Sequence, residues 1–132
     1  TGLFTTLMFK DGDFTENIIY EKLLNDKPSA NLGYLYENAV AQILTANGDA
    51  LFYHTFMNES TRRNYEIDFI LARKSKVCPI EEKSSGYKTH ASLDAFSRKF
   101  SDRILDKYLI YTKDFAKDED IFCLPTYLVQ FL

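Results

Sequence analysis

Little in the chain marks a specialised class. Two cysteines, three prolines and five glycines in 132 residues leave no room for a disulfide scaffold, a collagen-like repeat or a disordered tail. No run of about 18 apolar residues occurs, so a membrane-spanning helix is not expected. The opening Thr-Gly-Leu-Phe-Thr-Thr lacks the basic region of a secretory signal, and no initiator Met is present; the chain reads as a piece of something longer. Neither a P-loop pattern nor an internal repeat is found. A surplus of positive charge is missing too. Sixteen Lys and Arg face nineteen Asp and Glu, a net charge of −3, which removes the whole-chain basic signature of a nucleic-acid binder.

What is present describes one folded domain. The hydrophobic fraction is 45% and the charged fraction 27%, and a chain of this length buries roughly two thirds of its unfolded surface. The charge is uneven. Residues 61–107 carry 11 basic and 7 acidic side chains, a balance of +4, and the remainder a balance of −7. Cys78 and Cys123 sit in apolar stretches without C-x-x-C spacing, so they read as buried free thiols in a reducing, cytoplasmic setting. Two Cys and two His, widely scattered, do not make a zinc site.

Periodicity predicts the elements. Residues 1–28 read as a helical connecting segment, ended near Pro28. A helix is expected over about 30–47, stopped near Gly48. Leu32, Leu35, Tyr36, Ala39, Val40, Ile43 and Leu44 give it one broad apolar face, and Glu37 falls at the rim of that stripe. Strands are expected over 50–57, 65–72 and 77–83, separated by a polar loop and a tight connection, as in an antiparallel meander. Pro79 in the third argues against a central position. A helix over about 90–103, a strand over 106–112, an acidic loop over 114–120 and an apolar segment over 121–132, broken by Pro125, complete the chain. A strand, a helix and another strand imply a parallel pair. The expected fold class is α/β: a mixed sheet, antiparallel meander plus a parallel strand, flanked by helices.

Two strands carry acids into apolar surroundings. Period two puts Glu66, Asp68 and Ile70 on one face, and Glu81 and Lys83 on one face, with Glu82 opposite. Carboxylates in apolar strands are costly unless paired or bound to a cation. Should Asp68 and Glu81 converge, they form a hard oxygen site suited to Mg2+ or Mn2+. An ordinary salt-bridged strand pair, Lys83 with Asp68 or Glu81, accounts for the same residues.

Order and spacing add to this. Glu37 on a first helix, Asp68 in Glu-Ile-Asp, then Glu81-x-Lys83, a helix and a strand resemble the PD-(D/E)XK nuclease superfamily, with its restriction-endonuclease-like core. More narrowly, Leu-Gly-Tyr-Leu-Tyr-Glu-Asn-Ala-Val, Glu-Ile-Asp-Phe-Ile-Leu, Pro-Ile-Glu-Glu-Lys-Ser-Ser-Gly and Leu-Pro-Thr-Tyr-Leu resemble a domain of unknown function. That domain lies at the C-terminal end of prokaryotic AAA-type ATPases. The resemblance implies residues 29–132 as the nuclease-like domain and an upstream ATPase part in the same polypeptide. It also implies Asp68 and Glu81 as metal-binding acids, with the Glu82 carbonyl as a further oxygen ligand. Lys83 would position the attacking water and steady the charge on phosphate, and Glu37 would be the helix-borne acid that orients water or completes a second metal site. The implied chemistry is Mg2+- or Mn2+-assisted hydrolysis of a DNA phosphodiester. Glu82 departs from the family, which usually carries an apolar residue there, often Val; it should reach solvent or pair with a cation such as Lys88.

Other residues have plainer readings. Arg62, Arg63 and Lys88 are candidates for phosphate contacts, against a solvated loop. His54 reads as core or surface rather than catalytic. Thr89, next to His90, reads as a helix cap. Rival readings keep the fold without hydrolysis. One is a module that binds nucleic acid or a partner protein. The other is a structural or homo-oligomerisation domain with residues 1–9 and 121–132 as contact surfaces.

Overall fold

A computed structural model describes residues 30–58, 62, 64–84 and 86–132, with the side chains of 30–32 left aside. The expected connecting segment, 1–28, and Arg63 lie outside the described residues. The architecture is α/β. Helix α1 spans Ala30–Ala46, followed by strands β1 (Phe52–Met57), β2 (Asn64–Arg73) and β3 (Lys76–Lys83). Helix α2 spans Ala91–Phe100 and runs into a 3-10 turn, Ser101–Arg103. Strands β4 (Lys107–Tyr111), β5 (Ala116–Asp118) and β6 (Ile121–Pro125) follow, then a 3-10 helix, Thr126–Phe131.

The six strands form one sheet in the order β1-β2-β3-β4-β6-β5. The meander β1-β2-β3 is antiparallel, β3-β4 and β4-β6 are parallel, and β5 returns antiparallel to β6. Helix α2 supplies the crossover that a parallel β3–β4 pair requires. The sheet is covered on both faces. Val40 and Leu44 of α1 and Val129 of the last 3-10 helix pack against Phe69, Leu71, Cys78, Ile80, Ile110 and Leu124. Leu93 and Phe96 of α2 pack against Ile67, Leu109, Tyr111, Ile121 and Cys123 on the opposite face. Cys78 and Cys123 are free and buried. No helix among the described residues is long and apolar enough to cross a membrane.

The end of α1 fixes a distant contact. Gly48, at φ +90, turns the chain. Asp49 N–H then reaches the Leu44 carbonyl and Gly48 N–H the Thr45 carbonyl, the paired bonds of a Schellman cap. Asp49, just past the cap, meets Arg73 at the end of β2 through both carboxylate oxygens, at 2.6 and 3.1 Å. Arg73 also donates to the Leu132 carbonyl at 3.1 Å. One guanidinium therefore ties together the α1 cap, the β2–β3 hairpin and the chain's last residue.

Three expectations change. Residues 114–120 are not all loop: 116–118 form edge strand β5, closed by a turn with Glu119 at φ +52. Pro79 lies fully buried in a central strand; the parallel ladder to β4 begins only at Ile80, one residue later. The 121–132 segment is, as expected, apolar and divided at Pro125, with Ile121, Cys123, Leu124 and Val129 buried and Tyr127 and Phe131 exposed. Finally, strict period two fails in β2. The β1–β2 register shifts between Phe52, opposite Ile70, and His54, opposite Ile67, as a bulge does. Ile67 and Ile70 consequently face α2 while Phe69 and Leu71 face α1. Ile70 does not share a face with Glu66 and Asp68.

Candidate functional site

The β2–β3 ladder pairs Phe69 with Ile80 and goes no further. Past that pair the strands part, and Asp68 fills the gap: its Oδ2 accepts the Glu82 backbone N–H at 2.7 Å. The chain's alternation does the rest. Ile80 faces α1, so Glu81 and Lys83 face α2 and Glu82 faces α1. The opening between two strands thus collects acids from both faces of the sheet.

On the α1 side stand Glu37, Glu66, Asp68 and Glu82. Helix α1 passes close to the end of β3 here; a Cβ built on Gly33 would lie 3.7 Å from Ser84 Oγ. Glu37 follows one turn later, half-buried, as its rim position predicts. Burial, then the Glu66 charge, lifts its carboxyl above the usual range. Burial is also the main cause for Asp68, whose pKa is pushed up to about 7; Glu37, Glu81 and Glu66 add to it, against the Glu82 N–H bond. Glu82 rises to about 8 through burial, then the charges of Asp68 and Glu37. Glu82 is half-buried and so partly open to solvent, with Asp68 and Glu37 as its charged neighbours; among the described residues no ion pair joins it to the exposed Lys88.

Glu81 and Lys83 occupy the α2 side. Glu81 is 7% exposed. Its carboxylate sits 3.2 Å from Lys83 Nζ, and the nearby Leu93 N–H in the first turn of α2 favours its charged form. The sequence makes Thr89 the expected cap of α2. Thr89 Oγ1 turns instead to the Gly86 carbonyl, and His90 occupies the N-cap position without a side-chain cap bond. Lys83 also donates to the Thr89 carbonyl. Burial raises the Glu81 carboxyl, opposed by Lys83, Leu93 N–H and His90. Its Oε2 is buried with no hydrogen-bond partner among the described residues.

That orphan oxygen is the test of fit for a cation. Mg2+ binds through one or two carboxylates and keeps several waters. Asp68 and Glu81, with a backbone carbonyl at Glu82, are a suitable donor set for Mg2+ or Mn2+. They are not a complete cage: among the described residues no group of three or more His, Cys, Asp or Glu side chains is arranged to hold a metal. Beside Glu37 opens a cavity of about 390 Å3 lined by Tyr34, Glu37, Asn38, Ala41 and Phe69.

The family follows from comparison with known sequences. A family model described as a domain of unknown function, DUF4143, matches residues 32–129. The chain belongs to that family. The DUF4143 match takes in Glu37, Asp68, Glu81, Glu82 and Lys83 together. A comparison with curated proteins finds no match.

The remaining candidates lie apart from this opening or beside it. Arg62 is exposed at φ +56, its N–H on the Asn58 carbonyl at 2.9 Å, and Lys88 is exposed in the turn before α2. His54 packs among Phe56, Phe96 and Phe100. Sequence reasoning missed His90 as a neighbour of the site. Its ring nitrogens meet Asp94 at 3.0 Å and Asp118 at 3.4 Å. The His90–Asp94 spacing of four on a helix was a visible signal; Asp118, read as loop, was not.

Proposed function

We propose that this DUF4143 domain is a nuclease-like module of the PD-(D/E)XK type, with a restriction-endonuclease-like core, acting on DNA with Mg2+ or Mn2+. In this reading it is the C-terminal domain of a cytoplasmic AAA-type ATPase. The observation that carries it is the opened β2–β3 ladder, where an Asp68 carboxyl raised to about 7 neighbours a buried Glu81 whose Oε2 has no partner among the described residues. Uncompensated acids in a half-buried opening favour a cation.

Asp68, Glu81 and the Glu82 carbonyl would hold the ion. When bound, it supplies Lewis-acid polarisation of a phosphoryl oxygen. Lys83 offsets negative charge on the phosphate and steadies a water by hydrogen bonding. Glu37, with its proton affinity raised by burial, accepts a proton at its carboxylate. Arg62, Arg63 and Lys88 hold the backbone of the DNA by its phosphates.

A second reading, a DNA- or protein-binding module without hydrolysis, is favoured by the engagement of Lys83 with both Glu81 and the Thr89 carbonyl. One experiment separates the two. Plasmid nicking with Mg2+ or Mn2+ is followed for the wild type, Asp68→Asn and Lys83→Ala, beside DNA binding at several salt concentrations. Hydrolysis predicts nicking by the wild type and a loss of roughly 100-fold or more in each variant. Salt-dependent binding with no nicking supports the second reading. The absence of both binding and nicking ends the hydrolase reading and the DNA-binding form of the second, and leaves a protein-binding module.

A further inference from the structure

The turn that receives Lys83 and the start of the helix beside Glu81 are anchored by the same side chain. His90 stands between them. The residue before it, Thr89, offers its carbonyl to Lys83. The residue three after it, Leu93, places its N–H near enough to Glu81 to favour the charged carboxylate. The imidazole, with only 16% of its side chain exposed, has Asp94 Oδ1 at 3.0 Å from Nδ1 and Asp118 Oδ2 at 3.4 Å from Nε2. Both nitrogens facing carboxylates is the arrangement of a ring that donates from both sides. Asp94 belongs to the first turn of α2. Asp118 ends β5, the edge strand three places from β3 in the sheet.

We propose that His90 is a positioning residue, clamped between Asp94 and Asp118, which holds the 86–90 turn and the start of α2 so that Lys83 and Glu81 keep their places in the opening. The inference deepens the nuclease reading, on which its functional meaning rests. Its geometry does not need that reading. Among the described residues, the Gly86–Thr89 turn is closed internally by the Thr89 N–H and hydroxyl bonds to the Gly86 carbonyl, at 3.3 and 3.2 Å. Gly86 itself lies at φ +68, and Lys88 and Thr89 are exposed. The clamp carries the constraint across to β5. An edge strand far from the acids thereby sets the position of the amine.

The test reads Lys83 directly. Amine acylation of the whole 132-residue chain, without metal or DNA, is followed site by site by mass spectrometry for the wild type, His90→Ala and Asp118→Asn. Lys74, in the β2–β3 hairpin, is the internal control. Both variants should raise the Lys83 acylation rate about fivefold, as expected for losing one charge-assisted anchor, with Lys74 unchanged and the circular dichroism spectrum retained. An unchanged Lys83 rate in folded Asp118→Asn overturns the proposal. Should His90→Ala fail to fold, Asp118→Asn decides alone, because Asp118 is largely exposed. Absence of nicking by the wild type defeats the nuclease reading and leaves this result standing, so the two failures are distinguishable.

Discussion

Asp68 takes the place of a ladder rung: its Oδ2 accepts the Glu82 N–H at 2.7 Å, where β2 and β3 have ceased to pair. A carboxylate there satisfies a backbone donor and at the same time brings a charge next to Glu37, Glu66 and Glu81. The bond lowers its pKa, but burial and the neighbouring acids prevail and lift it to about 7.

The first prediction concerns pH. Asp68 and Glu82 bind a proton more tightly when folded, at about 7 and about 8, than when unfolded, near about 4. The native state therefore holds more protons between those limits, and stability falls as pH rises through them. Raised His90 acts in the same direction, since its stabilising charge is lost as pH rises. Without metal, Tm should decline from about pH 5.5 to about pH 8.5. Differential scanning calorimetry in chelator checks this, and a Tm that rises across the window contradicts it.

Asp68→Asn isolates the main contributor. The amide oxygen still accepts the Glu82 N–H, while the charge is gone. At about pH 8.5 the variant should be more stable than the wild type by about 1–2 kcal/mol, and its Tm should vary less with pH. Chemical denaturation at two pH values reads both effects.

Glu82→Val should stabilise as well. Glu82 is half-buried with acids as its electrostatic neighbours, and Val is strand-prone. The gain expected at about pH 8 is on the order of 1 kcal/mol, from relieving a poorly satisfied buried acid. A loss of stability would mean that Glu82 has a cationic partner in solution.

Much of this architecture was legible in the sequence. The 3.6-residue pattern around Val40 and Leu44 gave α1, and Glu37 appears at the rim of its stripe as the wheel places it. The aromatic and β-branched runs gave the meander, and the strand–helix–strand spacing gave the parallel pair. The misses have tertiary causes. The β2 bulge depends on the partner register, so period two misplaced Ile70. β5 has three exposed residues and no apolar signal of its own; it exists because β6 offers it an edge. Thr89 has the right chemistry for a cap, but the helix starts one residue later, with His90 at the N-cap, and the Thr89 hydroxyl turns to the Gly86 carbonyl. Asp68, Glu81 and Lys83 were visible as residues; their division between two faces, with Asp68 at the seam, was not.

Arg73→Lys tests the remote clamp. Lysine cannot span both Asp49 oxygens and the Leu132 carbonyl together. A loss of about 1 kcal/mol is expected, measured by urea denaturation, with Asp49→Asn giving a similar loss and the double variant little more.

The central claim is that Asp68 and Glu81 share one divalent cation. Isothermal titration calorimetry with Mn2+ at about pH 7.5 tests it most directly, on the wild type, Asp68→Asn and Glu81→Gln. The account predicts one binding event in the wild type, accompanied by proton release, and its loss in both variants. Wild-type protein that takes up no Mn2+, or variants that bind it as tightly as the wild type, would contradict it.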